Sequence, residues 1–235
     1  MCVCLYGLVQ RSLHLTLEHY KEFVFSDDCD LYIHTFDSEF AYSPRENGET
    51  EPVKISLSNV LKLKAKKCLI ESEKDFNENF DFKKFEKYGD TFNNNFVTLR
   101  NLLREIYSVQ KVYELIDKNE KYESVIMTRA DLCFDKKIKN IKLDNSKDFI
   151  ITSKFNRSPM DLNDFFAIGS NVKALEIWAN RLDYAEEYCE NSELGALRGL
   201  HAESLVRYCV ETYNIRNVLF DVKVDRVRAD GKVIR

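Results

Sequence analysis

The sequence predicts an α/β fold with a mainly parallel central sheet flanked by helices. Short apolar runs that read as buried strands recur along the chain, amphipathic helical patterns separate them, and one strand pattern begins within three residues of the N-terminus. Strands that alternate with helical patterns imply crossover units and hence parallel pairing.

In order, residues 3–8 read as the first strand, with Gly7 near its end. Residues 12–25 repeat apolar side chains at helical spacing (Leu13, Leu17, Tyr20, Phe23 or Val24), with Ser12 as the expected N-cap. "DLYIHTF", residues 30–36, reads as a second strand. The stretch 37–95 is polar and rich in Glu, Lys, Asn and Phe, and only 55–70 has a regular pattern. Within a single domain spanning 1–235 it reads as an insertion, either a lid over a site or a surface embellishment. Its aromatic residues (Phe76, Phe80, Phe82, Phe85, Tyr88, Phe92) can stack on sugars, although pinning the insertion to the body is the simpler role.

Residues 96–117 give the clearest helix, with Leu99, Leu102, Leu103, Ile106, Val109, Tyr113 and Ile116 in one apolar stripe. Arg100, Arg104, Ser108 and Lys111 share the opposite face and read as its wet side. Strands follow at 124–128, 148–153 and 165–169, then a helix over 170–189, another from His201, and a β-rich tail at 218–227.

Bulk properties exclude several function classes. Of 235 residues, 44% are hydrophobic and 12% aromatic, which supports a packed core. With 35 basic and 39 acidic residues the net charge is −4, which gives no footprint for general nucleic-acid binding. Seven cysteines, irregularly spaced and without a Cys-x-x-Cys pair, fit a reducing compartment with neither zinc nor a disulfide framework. No basic n-region precedes "CVCLYG" and no apolar run reaches membrane-span length, so a soluble, cytoplasmic protein is expected. No Gly-x-Gly-x-x-Gly, Gly-x-x-x-x-Gly-Lys-[Ser/Thr] or Gly-x-Ser-x-Gly motif occurs, which disfavours dinucleotide oxidoreductases, P-loop enzymes and serine hydrolases.

Ligands of open α/β sheets bind beyond the carboxyl ends of the strands. Those ends carry Gly7 with Arg11, His34 with Asp37, Arg129 with Asp131, Ser153 with Lys154, and Gly169 with Ser170. The run "SVIMTRAD" delivers an arginine and an acid at the end of an apolar strand, where a core strand needs neither. An acid there can bind Mg²⁺ or Mn²⁺ alongside substrate phosphates, and an arginine can grip a diphosphate in a fork. The competing reading is a surface ion pair that closes the strand; the apolar run ahead of the pair favours function.

"YESVIMTRADLCF" resembles the strand-plus-acid segment of GT-A-fold nucleotide-sugar glycosyltransferases, in the Arg-x-Asp version of their Asp-x-Asp motif seen in bacterial and large-DNA-virus enzymes. "CLYGLVQRS", "DLYIHTFD", "NDFFAIGS" and "LHAESLVRY" resemble the same group in the same order, so the resemblance covers most of the chain apart from 37–95. It implies a GT-A-like fold and sugar transfer from a nucleotide-diphosphate donor to a hydroxyl of a glycan or glycoprotein acceptor, with Mn²⁺ or Mg²⁺ as cofactor. Asp131 would hold the metal, alone or with His201 or Asp135. Gly7, Arg11, His34, Arg129 and Asn163 would lie along the donor, Asp164 would face the sugar or acceptor, and Glu203 would act as base or hydroxyl anchor. Arg129 stands in place of the first acid of Asp-x-Asp, which bears directly on metal dependence. The alternative is a sugar-nucleotide-binding module without activity of its own.

Overall fold

The structure, a computed structural model, describes residues 1–44, 48–139, 141, 143–144, 146–155 and 161–234; residues 45–47 of the expected insertion lie outside the described residues. The strands are β1 (Cys2–Tyr6), β2 (Asp30–Phe36), β3 (Phe40–Ala41), β4 (Val53–Lys54), β5 (Lys67–Glu71), β6 (Val125–Arg129), β7 (Leu132–Phe134), β8 (Ile150–Ser153), β9 (Phe166–Gly169), β10 (Asn217–Phe220), β11 (Val224–Val227) and β12 (Val233–Ile234). The helices are α1 (Leu13–Phe23), α2 (Glu73–Asn79), α3 (Lys83–Glu86), α4 (Val97–Leu115), α5 (Glu176–Ala179), α6 (Ala185–Asn191), α7 (Glu193–Arg198) and α8 (Ala202–Thr212).

Seven strands form the main sheet in the order β10-β8-β9-β6-β1-β2-β5. Every neighbouring pair is parallel except the two made by β9, which runs antiparallel to both β6 and β8. Six strands therefore point one way and β9 points back. One sheet edge collects the carboxyl ends of β1, β2, β6 and β8 together with the amino end of β9. Asn163 and Asp164, at the entry to β9, belong to that edge. Gly169 and Ser170, expected there as a strand end, lie at the opposite edge, because strand direction, which the sequence pattern does not encode, is reversed for β9.

Alternation along β1 shows why its residues are continuously apolar. Val3 and Leu5 pack with Leu13 and Tyr20 of α1 on one face, while Cys2, Cys4 and Tyr6 pack with Val109 and Val112 of α4, Trp178 of α5 and Val206 of α8 on the other. Both faces are covered, so both sets of side chains are buried. At about 1.5–3 kcal/mol for each large apolar side chain removed from water, this double-sided core is the main term holding the strand ends in register. All seven cysteines are free thiols.

Segment 37–95 contributes more than decoration. Its β5 pairs with β2 and becomes an edge strand of the main sheet. Phe76 of α2 packs against Phe36, Phe80 and Tyr107, at ring-centroid distances of 5.2, 4.8 and 4.6 Å. Most of the segment's aromatics thus pin it to the body.

Two local expectations change. The helix expected over 170–189 breaks between α5 and α6: the Arg181 guanidinium turns back to hydrogen-bond the Trp178 carbonyl at 2.8 Å, and the chain turns through 180–184. Ser12 precedes α1 but does not cap it with its side chain; its hydroxyl instead donates to the Val227 carbonyl, tying α1 to β11.

Candidate active site

At the carboxyl edge lies a cavity of about 460 Å³, within the range of small-molecule sites. Gly7, Arg11, Arg129, Asp131, Asp164, His201 and Glu203, seven of the nine residues singled out from the sequence, line it. His34 and Asn163 do not. The His34 imidazole is fully buried between the Ser108 hydroxyl (Nδ1, 2.7 Å) and the Glu71 carboxylate (Nε2, 2.8 Å), and burial lowers its proton affinity against the pull of Glu71. The Asn163 side-chain oxygen accepts from the Phe165 N–H at 3.0 Å, which shapes the turn into β9.

Arg129 ends β6, and Asp131 follows before β7 begins. The Arg129 guanidinium donates to both oxygens of Asp131 (2.9 and 2.7 Å) and to Glu105 Oε2 of α4 (3.1 Å). Arg129 and Asp131 are only 8% and 4% exposed, so this is a nearly buried pair. Burial pushes the Asp131 carboxyl up, but the guanidinium beside it overcomes that and holds the acid ionised well below the usual carboxylate range. Glu105 has the opposite balance: burial raises it, and Arg129 offsets that only in part while Asp164 and Asp131 add to it. Asp164 is likewise raised, by burial first and by the nearby Glu203 charge second.

The first-strand end is built by backbone geometry. Gly7 sits at φ +82°, a conformation that glycine reaches without steric cost, and its N–H donates to Ser108 Oγ at 2.7 Å. Arg11 forks onto Glu49 at 2.8 and 2.5 Å, and Glu49 also accepts from the Ala229 N–H. The face of α4 expected to be wet is therefore partly interior. Ser108 is buried between Gly7 and His34, and Arg104 lines the cavity, because segment 37–95 and β2 cover that side.

His201 and Glu203 open α8 and meet Asp161. Ligand atoms of these three residues lie within 4.8 Å of one another, and among the described residues this is the group able to hold a metal ion. Ser204 links it, donating to Asp161 Oδ1 at 2.9 Å and lying 3.2 Å from His201 Nδ1. Asp131 and His201, expected to share a metal, are not brought together in this group. Both oxygens of Asp131 accept from Arg129. Asp135, the other expected partner, is exposed and accepts from the Lys223 N–H at 2.8 Å, at the approach to β11.

Four residues escaped sequence reasoning: Glu105, Glu49, Asp161 and Arg226. Glu105 had a signal, since it lies three residues after Leu102 and four before Val109, at the margin of the apolar stripe of α4. The other three have none in the local pattern.

No protein-family model and no curated protein matches the sequence. Among solved structures, the chain is similar to an active-site mutant of LgtC, with TM-score 0.50 and 11% identity over 93% of this chain and 72% of that one. Similar matches are the galactosyltransferase LgtC in complex with donor and acceptor sugar analogues (TM-score 0.47, 11% identity, 93% and 73% covered) and mouse xyloside xylosyltransferase 1 (TM-score 0.44, 10% identity, 94% and 84% covered). At such identities the likeness is one of fold: the chain has an α/β fold of the GT-A glycosyltransferase type.

Proposed function

We propose that the protein transfers a sugar from a nucleotide-diphosphate donor to a hydroxyl of a glycan acceptor. The observation that carries this reading is the cavity at the carboxyl edge of a GT-A-type sheet, where a largely buried Glu105–Arg129–Asp131 group and the Asp161–His201–Glu203 group occur together. Gly7 and Arg11 lie along the nucleotide, and Arg129 and Asp131 lie at the diphosphate. Asp164 faces the sugar.

In the reaction the acceptor oxygen forms a bond to the anomeric carbon, the bond from that carbon to the diphosphate oxygen breaks, and its electron pair leaves with the diphosphate. For an inverting transfer Glu203 takes the acceptor proton; for a retaining one it anchors the hydroxyl. Where Glu203 ligates instead, Asp161, His201 and Glu203 would hold a divalent ion, a donor set of one imidazole and two carboxylates that suits Mn²⁺. When bound, the ion supplies positive charge against phosphate oxygens. The part of segment 37–95 around Ser38, Phe40 and Tyr42, which lines the cavity wall, would act as a lid.

The test is nucleotide release and thermal shift with UDP-, GDP- and dTDP-sugars, with Mn²⁺ or with EDTA. Stabilisation by one nucleotide, with slow sugar release that disappears in Glu203→Gln while the shift measured in EDTA persists, supports a transferase. A shift without release in either protein points to a binding module, and no shift with any nucleotide overturns the reading.

A further inference from the structure

Four arginines line the cavity, and three are held by protein partners. Arg11 forks onto Glu49, Arg129 onto Asp131 and Glu105, and Arg104 hydrogen-bonds Asn77 and Asn101 with Glu73 at 3.4 Å. Arg226 is the fourth. Among the described residues its side chain makes no ion pair and no hydrogen bond. It arrives from the small sheet, where β11 pairs with β7 and sets Arg226 opposite Leu132, the neighbour of Asp131. Its guanidinium carbon lies 5.0 Å from the centre of the Phe165 ring, and that of Arg129 lies 5.6 Å from the same ring.

Two guanidiniums sharing one aromatic ring repel each other. Burial first, and Arg129 second, lower the proton affinity of Arg226; Asp131, Asp164 and Glu105 offset this without contacting it. Two residues further on, Arg228 is wholly buried, and burial together with Arg11 and Arg226 pushes it down to about 9. Arg11, Arg226 and Arg228 thus crowd one corner of the cavity beside the carboxylates of Glu49 and Asp131, and Arg226 lines the cavity itself.

We propose that Arg226 is the receptor for a diphosphate, so that arginine charge, rather than a metal on Asp131, takes up the leaving group. The inference rests on the donor reading above and assigns its phosphate subsite. A diphosphate fits better than a carboxylate because several donors converge. Arg226 offers its whole fork, Arg11 keeps Nη1 uncommitted, and Arg129 keeps one hydrogen on each terminal nitrogen after its three contacts. Asp131 then acts as a positioning residue: it fixes the plane of Arg129, each of its oxygens accepting one of the two bonds.

The test is calorimetric titration of inorganic pyrophosphate, then of UDP, GDP and dTDP, in EDTA. The proteins are wild type, Arg226→Gln, Arg226→Lys and, as a control, Arg100→Gln, whose arginine is exposed and paired with Glu86. Expected are metal-free pyrophosphate binding that weakens with salt, a loss of at least tenfold (~1.4 kcal/mol) in Arg226→Gln, partial retention in Arg226→Lys, and no change in Arg100→Gln. Should Arg226→Gln unfold, the Lys variant and the salt dependence carry the comparison. Equal pyrophosphate affinity in wild type and Arg226→Gln overturns the inference, as does binding that requires added Mn²⁺. Binding through Arg226 without turnover of any sugar nucleotide leaves the anion site standing and removes the donor reading. Turnover undiminished in Arg226→Gln removes the anion site and leaves the donor reading.

Discussion

Arg129 and Asp131 stand two residues apart and hold each other in a two-pronged contact, Nε to Oδ1 at 2.9 Å and Nη2 to Oδ2 at 2.7 Å, nearly out of water. The tight link between β6 and β7 turns the acid back onto the arginine that precedes it. Removing Arg129 leaves Asp131 buried and uncompensated, and removing Asp131 leaves Arg129 with Glu105 alone, so each costs up to about 3–5 kcal/mol. Asp131→Asn is expected to lose stability in that range by urea denaturation, and a double-mutant cycle with Arg129→Met to show strong coupling. Additive single-mutant effects would mean that the pair is not energetically one unit.

The same pair sets acid lability. Asp131 and Glu49 are both held below their ordinary ranges in the folded state, Asp131 by Arg129 and Glu49 by Arg11, each against burial. The unfolded chain therefore binds more protons than the folded one below about pH 4.5, and stability falls as pH falls through that window. Urea midpoints between pH 3 and 6 should rise with pH, and the slope should flatten in Asp131→Asn. Glu105 has the opposite sign. Its folded-state value is raised, so ionisation costs stability as pH rises. Near neutral pH Glu105→Gln is accordingly expected to lose less stability than Asp131→Asn.

Gly7 and Ser108 form a second testable unit. Gly7→Ala places a side chain at φ +82°, at a cost of about 1–2 kcal/mol, and should weaken nucleotide binding as the strand end shifts. Ser108→Ala strands the buried Gly7 N–H and one nitrogen of His34, with an expected loss of about 1–3 kcal/mol in denaturation.

The aromatics of 37–95 should separate by role. Phe76→Ala opens the ring cluster with Phe36 and Tyr107 and is expected to cost about 2 kcal/mol or more. Phe40, at the cavity rim, is 52% exposed, so Phe40→Ala should leave stability within about 0.5 kcal/mol. A change in acceptor KM without a change in melting temperature would then mark the rim as a sugar contact.

Mn²⁺ binding tests the remaining cluster. His201→Ala and Asp161→Asn should each weaken the Mn²⁺-dependent thermal shift by tenfold or more in concentration, whereas Phe40→Ala should not. Equal Mn²⁺ response in all three would exclude the Asp161–His201–Glu203 group as the ion's ligands.

The sequence by itself determined the strands that run apolar on both faces, the helix at 96–117, and the placement of Arg129 and Asp131 at a strand end. These are local properties, written in periodicity and in the point where an apolar run stops. Only the tertiary structure decided the reversal of β9, which moved Gly169 away from the site and brought Asp164 to it, because pairing direction leaves no mark on a four-residue strand. It also decided which charges meet. Glu105 reaches Arg129 across 24 positions and Glu49 reaches Arg11 across 38, while Arg226 is carried in by a different sheet. Charged partners are selected by packing over such separations, and hydrophobic periodicity carries no information about them.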